Sequence, residues 1–488
     1  MSKLKSFLFL SHRIIGVIIS LLFFMWFVSG LVLIYYPFPD VTKSQLYEKE
    51  EAFPASLPAL EDVLSGLPAE DSDIRSLHAR QFQGQTLFTV ETKEKTYTFS
   101  ADSLQTPLPV TWETIQCIAG RWVDSPVLKV DTLYKRDQWI MYSSYLKELP
   151  IYKFYFDDEE RHQLYIASRT GEVQQFTTAR ERLWAWMGAI PHKFYLPFIR
   201  KHTELWIKAL TIAGVIGMLA ALTGLYAGIY ALWKKYKSKR KVGSPYKKQW
   251  YKWHHITGLI FGVFLVTWAF SGAMSMQRIP QWVIKTYGDY RTTPSKLRGK
   301  KLPLTAYTLD YRSVCRRYPD VKEIEWSYFR SIPVYNIIVG SRALSIDASG
   351  TEAKELLLPQ EEIAKAIRAV HGEYTFVIST ISAYEEYYLP RKETLPLPAY
   401  KVEVNNQDES LYYIDPETGD FKYFNRSRKA KKWIFNGLHY LHIKWLWERP
   451  VLWTTAIWTL CIGGSIVSFT GIWLSIRYLI RKVKKLIK

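Results

Sequence analysis

The stretch WHHITGLIFGVFLVTWAFSGAMS, residues 253–275, joins two histidines to an apolar run long enough to cross a bilayer. No charged residue occurs in residues 256–277, and a spanning helix needs about 20 apolar residues. The same holds for residues 14–36, 209–233 and 451–476. The sequence therefore predicts an α-helical membrane protein with four transmembrane helices.

Positive charge is concentrated beside these apolar runs. The chain has 65 Lys and Arg against 45 Asp and Glu, a formal charge of +20. Nine of the basic residues lie in 234–252 and six in 477–488, and neither segment contains an acidic residue. Basic segments next to spans stay in the cytoplasm, so both termini are predicted inside and the two long segments outside. Nucleic-acid binding is not predicted, because the basic clusters adjoin the spans.

Domain boundaries follow from this topology. The predicted order is transmembrane helix 1 (1–36), exported domain 1 (37–203), transmembrane helix 2 (204–233), a basic cytoplasmic loop (234–252), transmembrane helix 3 (253–277), exported domain 2 (278–449), transmembrane helix 4 (450–476) and a basic cytoplasmic tail (477–488). Alternating patterns such as TLFTVETK and AYKVEVN predict antiparallel strands, and WETIQCIAGRW predicts a helix. Each exported segment is expected to form small α+β modules, two per segment.

The chain also contains an internal repeat. At an offset of 242, the residues His12, Gly16, Trp26, Ser29 and Gly30 recur as His254, Gly258, Trp268, Ser271 and Gly272. Later in each half, LTGLYAG matches FTGIWLS at an offset of 247, which aligns His192 with His439. Two tandem two-helix repeats share one orientation, related by an axis along the membrane normal. We therefore predict that His12 faces His254 on the cytoplasmic side and that His192 faces His439 outside.

Histidines are concentrated around the spans. Seven of the ten lie within or close to them: His12, His192, His202, His254, His255, His439 and His442. Neutral imidazoles there can ligate a metal or haem, relay protons or sense pH. Equivalent imidazoles facing a common axis suit axial ligation of haem iron from both sides. The predicted cofactors are two bis-histidine haems, with His12 and His254 as iron ligands of one and His192 and His439 of the other.

Motif absences limit the haem type and the electron source. The chain has no Cys-x-x-Cys-His, so the predicted haem is b-type rather than covalently attached. It has neither a GxGxxG nor a P-loop motif, so no nucleotide or flavin domain is predicted. Electrons must then come from a separate donor, either a cytoplasmic reductase or a membrane quinol.

The outer histidines require a break in the chain. His192 precedes Gly224 by 32 residues, which is about 48 Å of continuous helix, longer than the roughly 30 Å hydrocarbon core. Pro197 and Pro450 are expected to break the helices, so that His192 and His439 fold back over the bundle. His202 and His442 are the fallback ligands.

Neighbouring residues leave alternatives open. Gly16 and Gly258 leave room for a flat macrocycle or simply allow close helix packing. Arg13 and His255 hold haem propionates, or are a snorkelling cation and an interfacial imidazole.

The exported segments contain further candidates. Tyr384, Tyr387 and Tyr388 in ISAYEEYYLPRK pack onto the membrane interface, as Tyr commonly does, or form a platform for an external substrate. A bridge between Cys117 and Cys315 is left open.

The duplicated motifs resemble a known family. H-x-x-x-G with W-x-x-S-G in the odd spans, YIDPETG outside, and then W, G, H and a span containing T-G are similar to the PepSY-associated transmembrane proteins. This resemblance implies periplasmic PepSY-like domains on an iron-regulated protein of the bacterial inner membrane, and haem b held by transmembrane histidines. It also implies that electrons reduce a ferric siderophore in the periplasm and so release its iron. The family histidines would correspond to His12, His254, His192 and His439.

Two other classes of function compete with a ferric-siderophore reductase. One is a PepSY-type regulatory or binding membrane protein whose histidines are structural. The other is a transporter, which is disfavoured because no Asp, Glu or Lys lies within the apolar runs. The predicted partners are a ferric siderophore, the electron donor and membrane lipid.

Overall fold

The computed structural model describes residues 3–67, 74–82, 84–101, 109–391 and 393–487. The helices are α1 (Lys3–Tyr35), α2 (Lys43–Lys49), α3 (Leu60–Leu64), α4 (Trp112–Trp122), α5 (Ala179–Met187), α6 (Ala189–Lys193), α7 (Pro197–Arg200), α8 (Thr203–Lys239), α9 (Gln249–Met274), α10 (Pro294–Arg298), α11 (Tyr311–Arg317), α12 (Gln360–His371), α13 (Arg426–Lys431), α14 (Leu438–Tyr440), α15 (Lys444–Trp447) and α16 (Pro450–Leu486). A π-helical turn, Lys432–Gly437, joins α13 to α14. Short 3-10 turns cover Ser143–Glu148 and Leu304–Ala306.

Four helices, α1, α8, α9 and α16, are long and apolar enough to span a membrane, which confirms the four predicted spans. The protein is therefore a multi-pass membrane protein. The helices run past the apolar segments: α8 reaches Lys239 and α16 reaches Leu486. Lysine and arginine are good helix formers, so the basic flanks extend the same helices into the aqueous phase.

The four helices form one bundle, in which α8 packs on α9 and α1 packs on α16, with further contacts between α9 and α16 and between α1 and α8. Its core contains Phe23, Phe27 and Leu265. Glycines admit the large rings: a Cβ on Gly464 would lie 2.6 Å from the Phe27 ring. Small residues at such contacts let membrane helices pack closely without polar groups.

Outside the bundle the chain forms antiparallel sheets. The strands are β1 (Ile74–Phe82), β2 (Gln85–Thr92), β3 (Thr96–Ser100), β4 (Val127–Leu133), β5 (Ile151–Phe156), β6 (Gln163–Ala167), β7 (Val173–Thr177), β8 (Val321–Phe329), β9 (Ile332–Val339), β10 (Arg342–Asp347), β11 (Lys354–Glu355), β12 (Phe376–Ile381), β13 (Ala399–Val404), β14 (Leu411–Ile414) and β15 (Phe421–Phe424). Two four-stranded sheets have the orders β4-β5-β6-β7 and β12-β13-β14-β15. The first of these sheets is built from the first long segment, and the other sheet from the second long segment.

The third sheet joins both long segments. Its order is β11-β10-β9-β8-β1-β2-β3, and β1 pairs with β8 through His78 with Glu325 and Ala79 with Ile324. One hydrophobic core beneath it contains Leu77 from the first segment and Ile324 from the second. The sequence pattern predicts two separate exported domains, whereas the structure unites part of each in one sheet. Pairing the two segments covers sheet edges that would otherwise be exposed.

Two chain reversals bring the outer histidines back to the bundle. Phe194 and Leu441, equivalent at the 247 offset, both adopt the left-handed conformation, with φ of 51° and 52°. They end α6 and α14, which contact α1 and α9 respectively. Pro197 and Pro450 begin α7 and α16 instead. The prolines therefore start the next helices, and the turns that reverse the chain come earlier than predicted.

The three cysteines, Cys117, Cys315 and Cys461, are all free. The bridge that the sequence left open between Cys117 and Cys315 is not formed.

Candidate functional site

One pair of imidazoles lies inside the bundle near its basic end. His12 of α1 and His254 of α9 have ring centroids 6.2 Å apart and ring planes at 30° to each other. Because both lie on spanning helices, the packing of α1 and α9 determines their separation. We call this the inner pair.

Each inner imidazole is oriented by a neighbouring helix of the bundle. His12 Nδ1 lies 3.0 Å from the carbonyl oxygen of Ala220 in α8. His254 Nδ1 lies 3.2 Å from the carbonyl oxygen of Val467 and 3.0 Å from Thr470 Oγ1, both in α16. A carbonyl can only accept, so each Nδ1 carries the proton and donates. Each Nε2 then keeps the lone pair that a metal needs.

A second pair lies at the opposite end of the bundle, where the chain reversals place it. The ring centroids of His192 and His439 are 6.2 Å apart, with planes at 66°. His192 Nδ1 donates to the Trp26 carbonyl oxygen at 3.1 Å, and His439 Nδ1 lies 3.0 Å from Ser271 Oγ. We call this the outer pair. Its imidazoles also present Nδ1 to the protein.

The two pairs are stacked along the bundle. His192 contacts α1 between Trp26 and Gly30, about 16 residues beyond His12, which places the pairs about 24 Å apart along the helix. This is close to the roughly 30 Å thickness of a hydrocarbon core. The two pairs therefore lie near opposite ends of the helix bundle.

Each of the four imidazoles lies against a glycine of another helix or helical segment. A Cβ on Gly224 would lie 2.6 Å from His12, one on Gly471 3.4 Å from His254, one on Gly30 3.3 Å from His192, and one on Gly272 3.6 Å from His439. At Gly224 this is closer than Cβ contacts allow, so only glycine accommodates the ring. These glycines belong to the T-G and S-G motifs of the repeat.

The ring separations, the space beside two glycines and two buried indole N–H groups bear on whether the pairs fit haem. Two metal–imidazole bonds of about 2 Å each, plus about 1 Å from each Nε2 to its ring centre, separate ring centroids by about 6 Å. The ring centroids are 6.2 Å apart in both pairs. The positions that a Cβ would occupy on Gly16 and Gly258 face open space, with no atom within 4 Å. Trp26 and Trp268 each bury an Nε1–H that has no hydrogen-bond partner among the described residues.

The donor set of each pair consists of two imidazoles. Within the described part of the chain, no group of three or more His, Cys, Asp or Glu is placed to hold a metal ion. Two imidazoles suit the two axial positions of a metal that already has equatorial ligands, as haem iron has. The residues present therefore fit haem.

Electrostatics favour neutral imidazoles at the outer pair, which belongs to α6 and α14 rather than to the spanning helices. Burial lowers the pKa of His192 to about 4. Burial, followed by the neighbouring His192, lowers the pKa of His439 to about 3. Both imidazoles are neutral at pH 7, which is the form that binds iron.

A buried ion pair fixes the segment that leads to His439. Lys432, in the π-helical turn, pairs with Glu386, and burial lowers the pKa of Lys432 to about 8. The other oxygen of Glu386 accepts the backbone N–H of Lys444 at 3.0 Å. Glu386 thus binds the chain on both sides of His439.

Arg13 and His255 do not lie together at the inner pair. The Arg13 side chain is exposed, and its guanidinium lies 5.6 Å from the ring centroid of Tyr478 in α16. His255 is buried, with Nε2 3.0 Å from the carbonyl oxygen of Gly228, and its ring packs against Tyr246. Arg13 matches the snorkelling alternative, and His255 fastens α9 to α8.

The fallback histidines lie away from both pairs. His202 is exposed at the start of α8. His442 Nε2 lies 3.2 Å from the carbonyl oxygen of Pro390, in the loop between β12 and β13. Its ring therefore contacts this loop rather than His192.

The three tyrosines use their hydroxyls internally. Tyr384 donates to the Leu395 carbonyl at 3.0 Å, and Tyr388 donates to the Pro396 carbonyl at 2.9 Å. Tyr388 is buried, while the Tyr387 hydroxyl accepts the indole N–H of Trp433 at 3.3 Å. These contacts hold the three tyrosines within the fold, and their predicted role in substrate binding stays a prediction.

The sequence pattern did not predict which residues contact Nδ1 of the four paired histidines. Ser271 and Thr470 contact histidines directly, and Ser29 Oγ lies 3.3 Å from His192 Nδ1. All three belong to the repeated S-G and T-G motifs, so their duplication was visible. Which histidine each would meet depends on the packing of different helices.

Comparison with known families agrees with this architecture. The profile of a family described as the PepSY-associated TM region matches residues 9–307, more than half of the chain. The chain belongs to the PepSY-associated TM region family. The matched part of this family member contains His12, His192 and His254, whereas His439 lies beyond it. No curated protein matches the chain.

Proposed function

We propose that this PepSY-associated membrane protein is a transmembrane electron carrier with two haem b groups, and that it reduces ferric siderophores on the side of the extramembranous sheets. The observation that carries the proposal is the presence of two imidazole pairs at opposite ends of one bundle, each with Nδ1 bound to the protein. We further propose that the two halves are tandem repeats. On this view the sheets lie in the periplasm of a bacterial inner-membrane protein.

The residues of the chain would have distinct tasks. His12 and His254 would hold the inner haem, and His192 and His439 the outer haem. The Nδ1 hydrogen bonds orient each ring and increase the basicity of Nε2. The apolar core between the pairs, with Phe23 and Phe27, excludes water from the bundle. When bound, haem supplies one-electron transfer between its ferric and ferrous states.

The substrate gains one electron for each iron reduced. Iron(III) is bound by hard oxygen donors much more tightly than iron(II), so reduction loosens the chelate and releases the metal. The electron must come from a cytoplasmic reductase or a membrane quinol, because the chain has no nucleotide-binding motif. The side of the basic loop and termini would then be the cytoplasmic side.

Visible absorption spectroscopy of the purified protein tests the cofactor. We expect a Soret band, and α and β bands that sharpen on reduction with dithionite. A full-length, folded protein that shows no such bands after expression with haem supplementation would refute the redox function and favour a regulatory or binding role.

Anaerobic reoxidation tests the substrate. The dithionite-reduced protein, freed of excess reductant, is mixed with a ferric hydroxamate, a ferric catecholate or ferric citrate. We expect at least one ferric chelate to restore the oxidised spectrum, with iron(II) trapped by a coloured chelator, and the matching gallium chelate, which is not reduced, to leave it unchanged. Reduced bands that persist with every ferric chelate would refute siderophore reduction while leaving haem binding intact.

A further inference from the structure

Four basic side chains lie close enough to interact electrostatically near the end of α9. Arg278 and Arg291 follow the end of α9, and Arg428 and Lys431 lie on α13. Lys431 Nζ donates to the carbonyl oxygen of Gln277 at 2.8 Å, which ties α13 to the end of α9. We call these four residues the cation cluster.

The charges of the cation cluster are not neutralised by the protein. Within the described ranges, no carboxylate forms an ion pair with any of the four, whereas Arg426 and Lys429 on the same helix both reach Glu409. Burial and then repulsion from Arg291, Arg278 and Arg428 lower the pKa of Lys431. Arg428 and Lys431 are half-buried, and half-buried like charges are costly unless an anion joins them.

The surroundings of the cation cluster are those of a membrane interface. The chain after α9 exposes apolar side chains, with Trp282 87% exposed, Val283 53% and Met276 43%. Tryptophan is enriched at the level of lipid headgroups. The guanidinium of Arg278 lies 4.7 Å from the Tyr290 ring centroid, which keeps this cation at the same level.

We propose that the cation cluster binds the phosphate of an anionic phospholipid in the leaflet next to the extramembranous sheets. Guanidinium groups bind phosphate oxygens through paired hydrogen bonds, and Trp282 and Val283 would enter the interface beside the headgroup. The exposed apolar residues favour a lipid over a free anion, because a free anion gives them no partner. This site is independent of the haem proposal. Since α13 continues through the π-helical turn to His439, the lipid would also anchor that segment to the membrane.

Native mass spectrometry of the full-length protein in detergent tests the proposal. The protein is titrated with dioleoyl phosphatidylglycerol, or with dioleoyl phosphatidylcholine as the zwitterionic lipid. Each cation near an anionic lipid contributes about fivefold in affinity, so Arg428→Gln with Lys431→Gln should weaken phosphatidylglycerol binding about 25-fold. The matched control is Arg426→Gln with Lys429→Gln, which removes equal charge from the same helix but from residues paired with Glu409, and it should change binding by less than about twofold.

A second variant covers the case in which α13 does not tolerate the changes. Arg278→Gln with Arg291→Gln alters exposed side chains outside any helix or strand, and should cause a similar loss. Equal binding of both lipids, or equal losses in the control and cluster variants, would overturn the proposal. So would competition by millimolar inorganic phosphate or ferric citrate that removes the bound phosphatidylglycerol, because the site would then belong to a soluble anion.

Discussion

The inner and outer histidine pairs have the same ring separation but are built differently. His12 and His254 project from spanning helices, and their Nδ1 atoms reach across to α8 and α16. His192 and His439 lie on short helices outside the spans, and their Nδ1 atoms reach down to α1 and α9. The spanning helices supply the hydrogen-bond partners in both pairs, but they supply the imidazoles only in the inner pair.

Because the two pairs are built differently, different substitutions should disrupt each one. The inner pair depends on the close approach of helices, since Gly224 has no space for a side chain beside His12. The outer pair depends on the chain reversals at Phe194 and Leu441 and on the Glu386–Lys432 ion pair. Changes in helix packing should therefore affect the inner site, and changes in the segments outside the spans should affect the outer one.

The largest expected effect is the loss of one haem per chain. On the proposed function, His254→Ala should remove the inner haem and leave the outer one, and His439→Ala should do the reverse, because each pair would lose one of its two imidazoles. Haem per protein, measured after extraction as the pyridine complex, should fall by half in each variant. His202→Ala, an exposed histidine near a span, is the control and should keep the full content. Full haem content in both pair variants would contradict the assignment.

Adding a methyl group at an equivalent type of position should affect the inner pair more than the outer pair. Gly224→Ala places a Cβ 2.6 Å from His12 Cε1, so the ring must move; overpacking of this kind costs about 1–3 kcal/mol. Gly272→Ala places its Cβ 3.6 Å from His439, an ordinary contact. We expect loss of inner haem and a lower melting temperature for the first variant, and little change for the second. Haem content and thermal unfolding measure both, and equal effects would remove the distinction between the pairs.

Loss of a hydroxyl beside Nδ1 should have a smaller effect confined to one site. Ser271→Ala leaves His439 Nδ1 with the Trp268 carbonyl alone, and should weaken haem retention at the outer pair about tenfold. The measurement is transfer of haem to apomyoglobin, followed by the Soret band. Thr267→Ala, on the same helix but bonded only to the Phe264 carbonyl, should transfer haem at the original rate. Faster loss from the inner pair would contradict the separation of the sites.

The smallest effect concerns the junction of the two long segments, far from the inner pair. Burial and then the charge of Glu323 raise the pKa of Glu50 from 4.5 to about 7. The folded state therefore holds a proton that the unfolded state releases between these values, so stability falls as pH rises from 4.5 towards 7. Glu50→Gln should remove this slope and stabilise the protein at pH 8 by about 1–2 kcal/mol, allowing for the partial exposure of the side chain.

Urea unfolding at pH 5 and pH 8 measures the slope in both proteins. The neighbouring Glu51→Gln, whose carboxylate pairs with Arg121, is the control and should not stabilise the protein at pH 8. The inner haem bands should be unchanged in both variants. A pH 8 gain in the control equal to that of Glu50→Gln would argue against the burial of Glu50 as the cause.

The pairing of the four candidate histidines could be predicted, because their spacing is the same in both halves of the sequence. His12 with His254, and His192 with His439, were predicted from two constant offsets, and the structure brings each pair together. The roles of Arg13 and His255 could not be read in this way. Both precede a span, but one points to Tyr478 and the other to Gly228, because the helices present different faces to their neighbours.

The sheets show the same limit. Alternating patterns predict strands in both long segments, and the structure has them. The pairing of β1 with β8 joins residues more than 200 positions apart, such as His78 and Glu325. Strand alternation reports which face is buried but not which distant strand lies alongside.

The amino-acid sequence was enough to predict the four spans, the clustering of histidines around them and the motifs shared by the two halves, since apolar length and motif spacing are local properties of the chain. Only the tertiary structure decided which atoms orient each imidazole, where the chain reverses, and that the two long segments share a sheet. Those features depend on contacts between distant residues, and their geometry is determined only when the helices and strands pack together.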